Sequence, residues 1–146
     1  RAIETATAIA DRCGAPIVVD PLLRERDFGD IRGTPYNELG RDPFGPDYHP
    51  PNGESWAMFH ERVAVAWDLV ARVAADTPGN LAVVTHGLVC GALVERHLAL
   101  DAGTAIPSLW RNTALTEIDA SPPWSVRTLA CASHLDGDEP PPGAAA

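Results

Sequence analysis

LAVVTHG, residues 81–87, carries an apolar run from Leu81 to Val84 into Thr85, His86 and Gly87. A run of this length, entered through the turn residues TPGN (77–80), reads as a buried strand. The mostly apolar stretch LVCGALVERHLAL (88–100) follows it as a helix. A buried strand that ends on a histidine leaves two readings open, a packed turn residue or a group aimed at a ligand. In an open α/β sheet, ligands gather at the carboxyl ends of strands, where helix N-termini point free N–H groups outward. His86 stands at such an end, and Gly87 would let a ligand approach the backbone closely.

Working outward, Ile3, Ala6, Ile9/Ala10 and Cys13 recur at helical spacing up to Gly14, a helix stop. PIVVD (16–20), flanked by Pro16 and Pro21, reads as a second buried strand that delivers the chain into the charged segment LLRERDFGDIRG (22–33). GRDPFGPDYHPPNG (40–53) is a long surface loop. Glu54 to Asp76 is the clearest helix, with Trp56, Phe59, Val63, Trp67, Val70 and Val73/Ala74 on one apolar stripe. Strands are expected at 113–119 and 125–132, and DGDEPPPGAAA (136–146) reads as a disordered tail after a domain spanning 1–135. Alternating strands and helices make the class α/β.

With 146 residues, 45% of them hydrophobic, one domain with a real core is expected. A net charge of −9 and the lack of any basic run argue against a nucleic-acid surface. No apolar run is long enough to span a membrane, so a soluble, cytoplasmic protein is expected. All 11 basic residues are arginine, the side chain suited to bidentate gripping of carboxylate or phosphate. Cys13, Cys90 and Cys131 are odd in number and widely spaced, a pattern that indicates neither a disulfide framework nor a zinc site. The chain opens at Arg1, without methionine and already inside a helical pattern, which leads us to expect sequence upstream.

RERDFGDIRG (24–33) gathers Arg24, Glu25, Arg26, Asp27, Asp30 and Arg32. Such a stretch is either a solvated charged loop or the wall of a site. Phe28-Gly29 in its middle suggests a turn pinned to the core, which would hold a carboxylate among arginines as a general acid or base.

Four motifs now stand in order: R-A-x-E-T-A at 1–6, L-x-E-x-x-F-G-D-x-x-G at 23–33, G-E-S at 53–55 and V-V-T-H-G at 83–87. Together they resemble the histidine phosphatase superfamily, which includes phosphoglycerate mutases and fructose-2,6-bisphosphatases; Asn112 and His134-Leu135 also fall where that family has such residues. The resemblance implies a three-layer α/β/α sandwich with a mostly parallel sheet, metal-independent chemistry without a cofactor, and a small phosphorylated substrate. It implies that His86 contacts the transferred phosphoryl group, that Arg1 binds phosphate and that Glu25 protonates the leaving oxygen. It implies further phosphate or substrate contacts at Gly87 and, among Arg24, Arg26 and Arg32, at arginines between which the sequence does not choose. Glu54 is read as structural, a negative charge at the start of the long helix.

One departure matters. The family's nucleophile is the histidine of an Arg-His-Gly tripeptide on the first, central strand, and no such tripeptide occurs in the 146 residues. His49, His60 and His97 do not fit the post, so that strand and its nucleophile are expected to lie outside this chain. The insertions typical of a glycolytic mutase are short here, which favours a phosphatase. A mutase, and a non-catalytic relative that binds phosphorylated ligands or a partner, stay open, as does a homodimer. A thiol hydrolase using Cys90 with His86 is a further rival, weakened because G-L-V-C-G is not a nucleophile elbow.

Overall fold

A computed structural model describes residues 1–136. The first helix, α1, spans Ala2–Cys13 and ends as expected on Gly14, whose left-handed backbone (φ 68°) lets its N–H bond the Ala10 carbonyl. The next helix, α2, spans Trp56–Asp76. Ser55 caps it, its hydroxyl accepting from the Met58 N–H at 3.2 Å, so Glu54 lies just ahead of the helix rather than in its first turn. The third helix, α3, spans Gly87–His97.

The core lies between α2 and α3. Phe59 and Val63 of α2 meet Val89 and Ala92 of α3, with Trp56, Leu88 and Leu93 packed around them. Each fully buried Phe or Val side chain contributes about 1.5–3 kcal/mol. Farther along α2, Trp67 meets Trp124 edge to face at 5.3 Å and stacks on His97, extending the contact toward the sheet.

The structure corrects the expected sheet. Strands form at Leu115–Ile118 (β1) and Val126–Cys131 (β2), within the expected ranges, but they pair antiparallel. Among the described residues the sheet has these two strands, and the parallel pairing is a single bridge between Ala99 and Ser125. PIVVD and LAVVT run extended without joining a ladder. A strand is defined by its hydrogen-bonded neighbour, and among the described residues neither segment has one. Their apolar side chains stay open to solvent, Val18 at 89% and Val19 at 63%, with Leu81 and Val83 also exposed. Helix α1 buries none of its residues, and Ile3 and Ile9 of its stripe are exposed. The expected tail lies, apart from Asp136, outside the described residues. Among the described residues no helix is long and apolar enough to cross a membrane.

The charged segment after PIVVD is pinned down as Phe28-Gly29 suggested. Asp30 N–H donates to the Pro51 carbonyl at 3.0 Å and Glu54 N–H to the Asp27 carbonyl at 2.8 Å, laying residues 27–30 against 50–54. No side chain fits between the two strips of backbone. A Cβ on Gly29 (φ 52°) would overlap the Pro51 carbonyl oxygen and lie 2.6 Å from the Gly53 nitrogen. Gly29→Ala is therefore expected to lower stability by about 2–3 kcal/mol, strain and clash together. Gly33→Ala, at φ 86° with nothing within 4 Å, meets only the backbone strain of about 1–2 kcal/mol. Urea unfolding of both variants measures the difference, and equal midpoints would show that the approach at Gly29 is not tight.

Candidate active site

Two extended segments converge on the N-terminus of α3. Thr85 Oγ1 donates to the Leu23 carbonyl at 2.7 Å, and the Leu88 N–H, in the first turn of α3, donates to Glu25 Oε2 at 3.3 Å. These bonds stitch residues 85–88 to residues 23–25. His86 is the residue before α3, its backbone extended (φ −123°, ψ 163°) and its carbonyl accepting from the Cys90 N–H at 2.9 Å. Its half-buried imidazole makes no hydrogen bond among the described residues. Glu25 is thus held against the helix end that His86 opens, where a carboxylate complements the unsatisfied N–H groups of the first turn. The carboxylate's other oxygen accepts from the Arg26 N–H at 2.9 Å.

Gly87 follows His86 at the mouth of the site. A Cβ there would meet the Trp110 Cβ at 3.6 Å, an ordinary contact, so packing does not enforce the glycine. Trp110 also lies over Gly91 one turn on, which places the indole beside the first turns of α3.

The four expected arginines fall into three groups. Arg26 is 2% exposed and donates from Nε, Nη1 and Nη2 to the carbonyls of Glu54, Pro43 and Tyr48. Its Cζ lies 3.9 Å from the Trp56 ring centroid and 5.4 Å from that of Phe28. Arg26 fastens the 40–53 loop to the start of α2, one bond from each guanidinium nitrogen. Arg24 is half exposed and its Nη2 donates to Glu54 Oε1 at 2.8 Å. Arg1 and Arg32 are exposed, and among the described residues neither guanidinium makes a hydrogen bond or ion pair. Asn112 and His134 come together elsewhere, beside β1 and β2, where Thr113 Oγ1 donates to the Asn112 carbonyl and lies 2.9 Å from His134 Nε2.

Glu54 is structural, as expected, but through a different partner. Its carboxylate faces Arg62, two turns into α2: Arg62 Nε lies 2.7 Å from Oε1 and Nη2 lies 2.6 Å from Oε2. The Asp27 N–H adds a third donor type at 3.0 Å. Burial pushes the Glu54 carboxyl up, but the bonds from Arg62 and Asp27 and the charges of Arg62 and Arg24 outweigh it, leaving its pKa below the usual carboxylate range. Arg62 is the residue that sequence reasoning missed. It lies on the inward stripe of α2 between Phe59 and Val63, and a charge inside an apolar stripe was the available signal.

The remaining histidines pack as expected. His60 stacks on Trp56 and His97 on Trp67, and burial first, then the charge of Arg96, lowers the pKa of each. Burial, then the charge of Glu25, pushes the Cys90 thiol up to about 11. A thiol held protonated in this way weighs against the thiol hydrolase reading.

Helix α3 packed on α2, a small antiparallel sheet, and Glu25 bound at the helix N-terminus that follows His86 are the features of an α/β protein. The chain belongs to the histidine phosphatase superfamily (branch 1), whose family model matches residues 1–128. It is similar to the probable phosphoglycerate mutase GpmB of Klebsiella pneumoniae subsp. pneumoniae, 31% identical over an alignment of 151 positions that covers 93% of this chain and 69% of that protein. It is equally similar to the probable phosphoglycerate mutase GpmB of Cronobacter sakazakii, 32% identical over 152 positions with the same shares covered.

Proposed function

We propose that this protein is a phosphatase that hydrolyses a small phosphomonoester through a phosphohistidine intermediate, in the cytoplasm and without metal or cofactor. The observation that carries the reading is the Glu25 carboxylate lodged at the α3 N-terminus that His86 opens. In the first step a nucleophilic histidine attacks phosphorus in line and the bond from phosphorus to the substrate oxygen breaks. Glu25 gives its proton to the departing oxygen, and His86 stabilises the charge on the transferred phosphoryl oxygens. In the second step Glu25, now a carboxylate, takes a proton from the water that attacks the phosphohistidine, which frees the nucleophile as inorganic phosphate leaves. Arg1, and Arg24 through the part of its guanidinium not bound to Glu54, are the phosphate contacts in this scheme.

The nucleophile belongs to an Arg-His-Gly motif outside these residues. The open edges of 16–20 and 81–85, with Val18, Val19, Leu81 and Val83 exposed, are a fitting seat for the strand that would carry it. In this reading the 146 residues by themselves are inactive. A second reading, a mutase that returns the phosphoryl group to the substrate, is favoured by the names of the relatives. The shortness of the insertions typical of a glycolytic mutase supports hydrolysis instead. A homodimer is compatible with either.

The test is to assay the full-length protein on a panel of phosphomonoesters and on the interconversion of 2- and 3-phosphoglycerate, with and without chelator. Phosphate release that chelator leaves unchanged, together with an acid-labile phosphoryl group trapped on histidine, is the expected result. Interconversion without net phosphate release would favour the mutase, and no turnover of any ester would overturn both.

A further inference from the structure

We infer that the buried Glu54–Arg62 pair is a positioning device that aims the Glu25 carboxylate at the site. The inference rests on the acid–base role proposed for Glu25. All five N–H groups of the Arg62 guanidinium are spent on one target: Nε and Nη2 on the two oxygens of Glu54, Nη1 on the carbonyls of Leu22 (2.7 Å) and Arg24 (2.9 Å), and Nη2 again on the carbonyl of Glu25 itself (3.3 Å). From the other side, Glu54 accepts the Asp27 N–H through Oε2 and donates its own N–H to the Asp27 carbonyl. The backbone is therefore gripped on both flanks of Glu25, from Leu22 to Asp27, by one residue before α2 and one residue within it. Arg62 and Glu54 are 9% and 6% exposed, buried behind the segment they hold. With the backbone fixed, the glutamate's remaining freedom is its side-chain torsions, and these end on the Leu88 N–H. A displacement of about 1 Å in a reacting group can cost about 100-fold in rate, so the grip bears directly on proton transfer.

Lysine at position 62 keeps the charge but offers donors from a single nitrogen, which cannot span two carboxylate oxygens and three carbonyls. The informative readout is dependence on the leaving group. A proton donor matters for an alkyl phosphate, whose alkoxide is a poor leaving group, and little for p-nitrophenyl phosphate, whose phenolate departs unprotonated. In the full-length protein, Glu25→Gln should lose about 100-fold in kcat/KM on glycerol phosphate and only a few-fold on p-nitrophenyl phosphate. Arg62→Lys should copy that asymmetry, with about tenfold more loss on the alkyl ester, and the double variant should be no slower than Glu25→Gln alone. Glu54→Gln, which keeps the shape of the carboxylate, should show the same pattern and serves where Arg62→Lys melts too low to assay. Equal losses on both esters for Arg62→Lys and Glu54→Gln, against unequal losses for Glu25→Gln, would overturn the positioning role alone. Equal losses for Glu25→Gln would instead overturn the acid–base reading beneath it.

Discussion

Arg62→Met should destabilise the protein by about 3–5 kcal/mol at neutral pH, because methionine fills the stem's volume but leaves a buried carboxylate short of its main partner. The loss has two sources. Glu54 keeps only the half-exposed Arg24 and the Asp27 N–H, and the carbonyls of Leu22, Arg24 and Glu25 lose their shared donor. Against a total stability of about 5–15 kcal/mol, a cost of this size is visible in any denaturant titration. The pH dependence separates it from a packing defect. In the native protein the Glu54 pKa is depressed, so its contribution is complete above the unfolded carboxylate value and is lost as pH falls through the folded one. Without Arg62, the upward push of burial, the largest of the influences on this group, is opposed only by Arg24 and Asp27. The variant's Glu54 then titrates higher and can discharge by binding a proton. The deficit between variant and parent should therefore shrink between pH 7 and pH 5. A deficit that stays constant over that window would show that Glu54 is not the source.

Which parts of this molecule could be read from sequence follows from how far apart the interacting groups lie. Helices α1, α2 and α3 fall within one to three residues of their expected bounds, because 3.6-residue periodicity, Ser55 as a cap and Gly14 as a stop are local signals. The position of His86 at the start of α3 is local in the same way. Strand pairing is not local: PIVVD and LAVVT have the composition of strands but, among the described residues, no neighbour to complete a ladder. The antiparallel direction of β1 and β2 is likewise a property of the partner and not of either segment. Arg26 reads as a candidate substrate contact because its neighbours in sequence are charged. Its burial comes from Pro43, Tyr48 and Trp56, 17 to 30 residues away, which supply the carbonyls and the ring that enclose it. Arg62 differs: it was missed, although a charge in the stripe of Phe59, Val63 and Ala66 is a local signal of a buried partner.

His86→Ala should lower kcat/KM of the full-length protein by about 100- to 1000-fold, the loss typical of removing one preorganised group that stabilises developing charge. The effect should be nearly the same on an alkyl and an aryl phosphate. Charge on the transferred phosphoryl oxygens develops whichever oxygen leaves, so the loss lacks the leaving-group dependence expected of Glu25→Gln. Stability should change by less than about 1 kcal/mol, because the imidazole is half-buried and bonds nothing among the described residues. The backbone extension that carries His86 into α3 is held instead by Thr85 Oγ1 on the Leu23 carbonyl and by the Cys90 N–H on the His86 carbonyl, neither of which the substitution removes. Kinetics on both esters, with a thermal melt of the same preparation, decide the matter. Turnover within a few-fold of the parent would return His86 to the role of a turn residue. A large loss accompanied by a lowered melting temperature would make it a structural one. A large, leaving-group-independent loss in a protein that melts normally places its imidazole on the phosphoryl group.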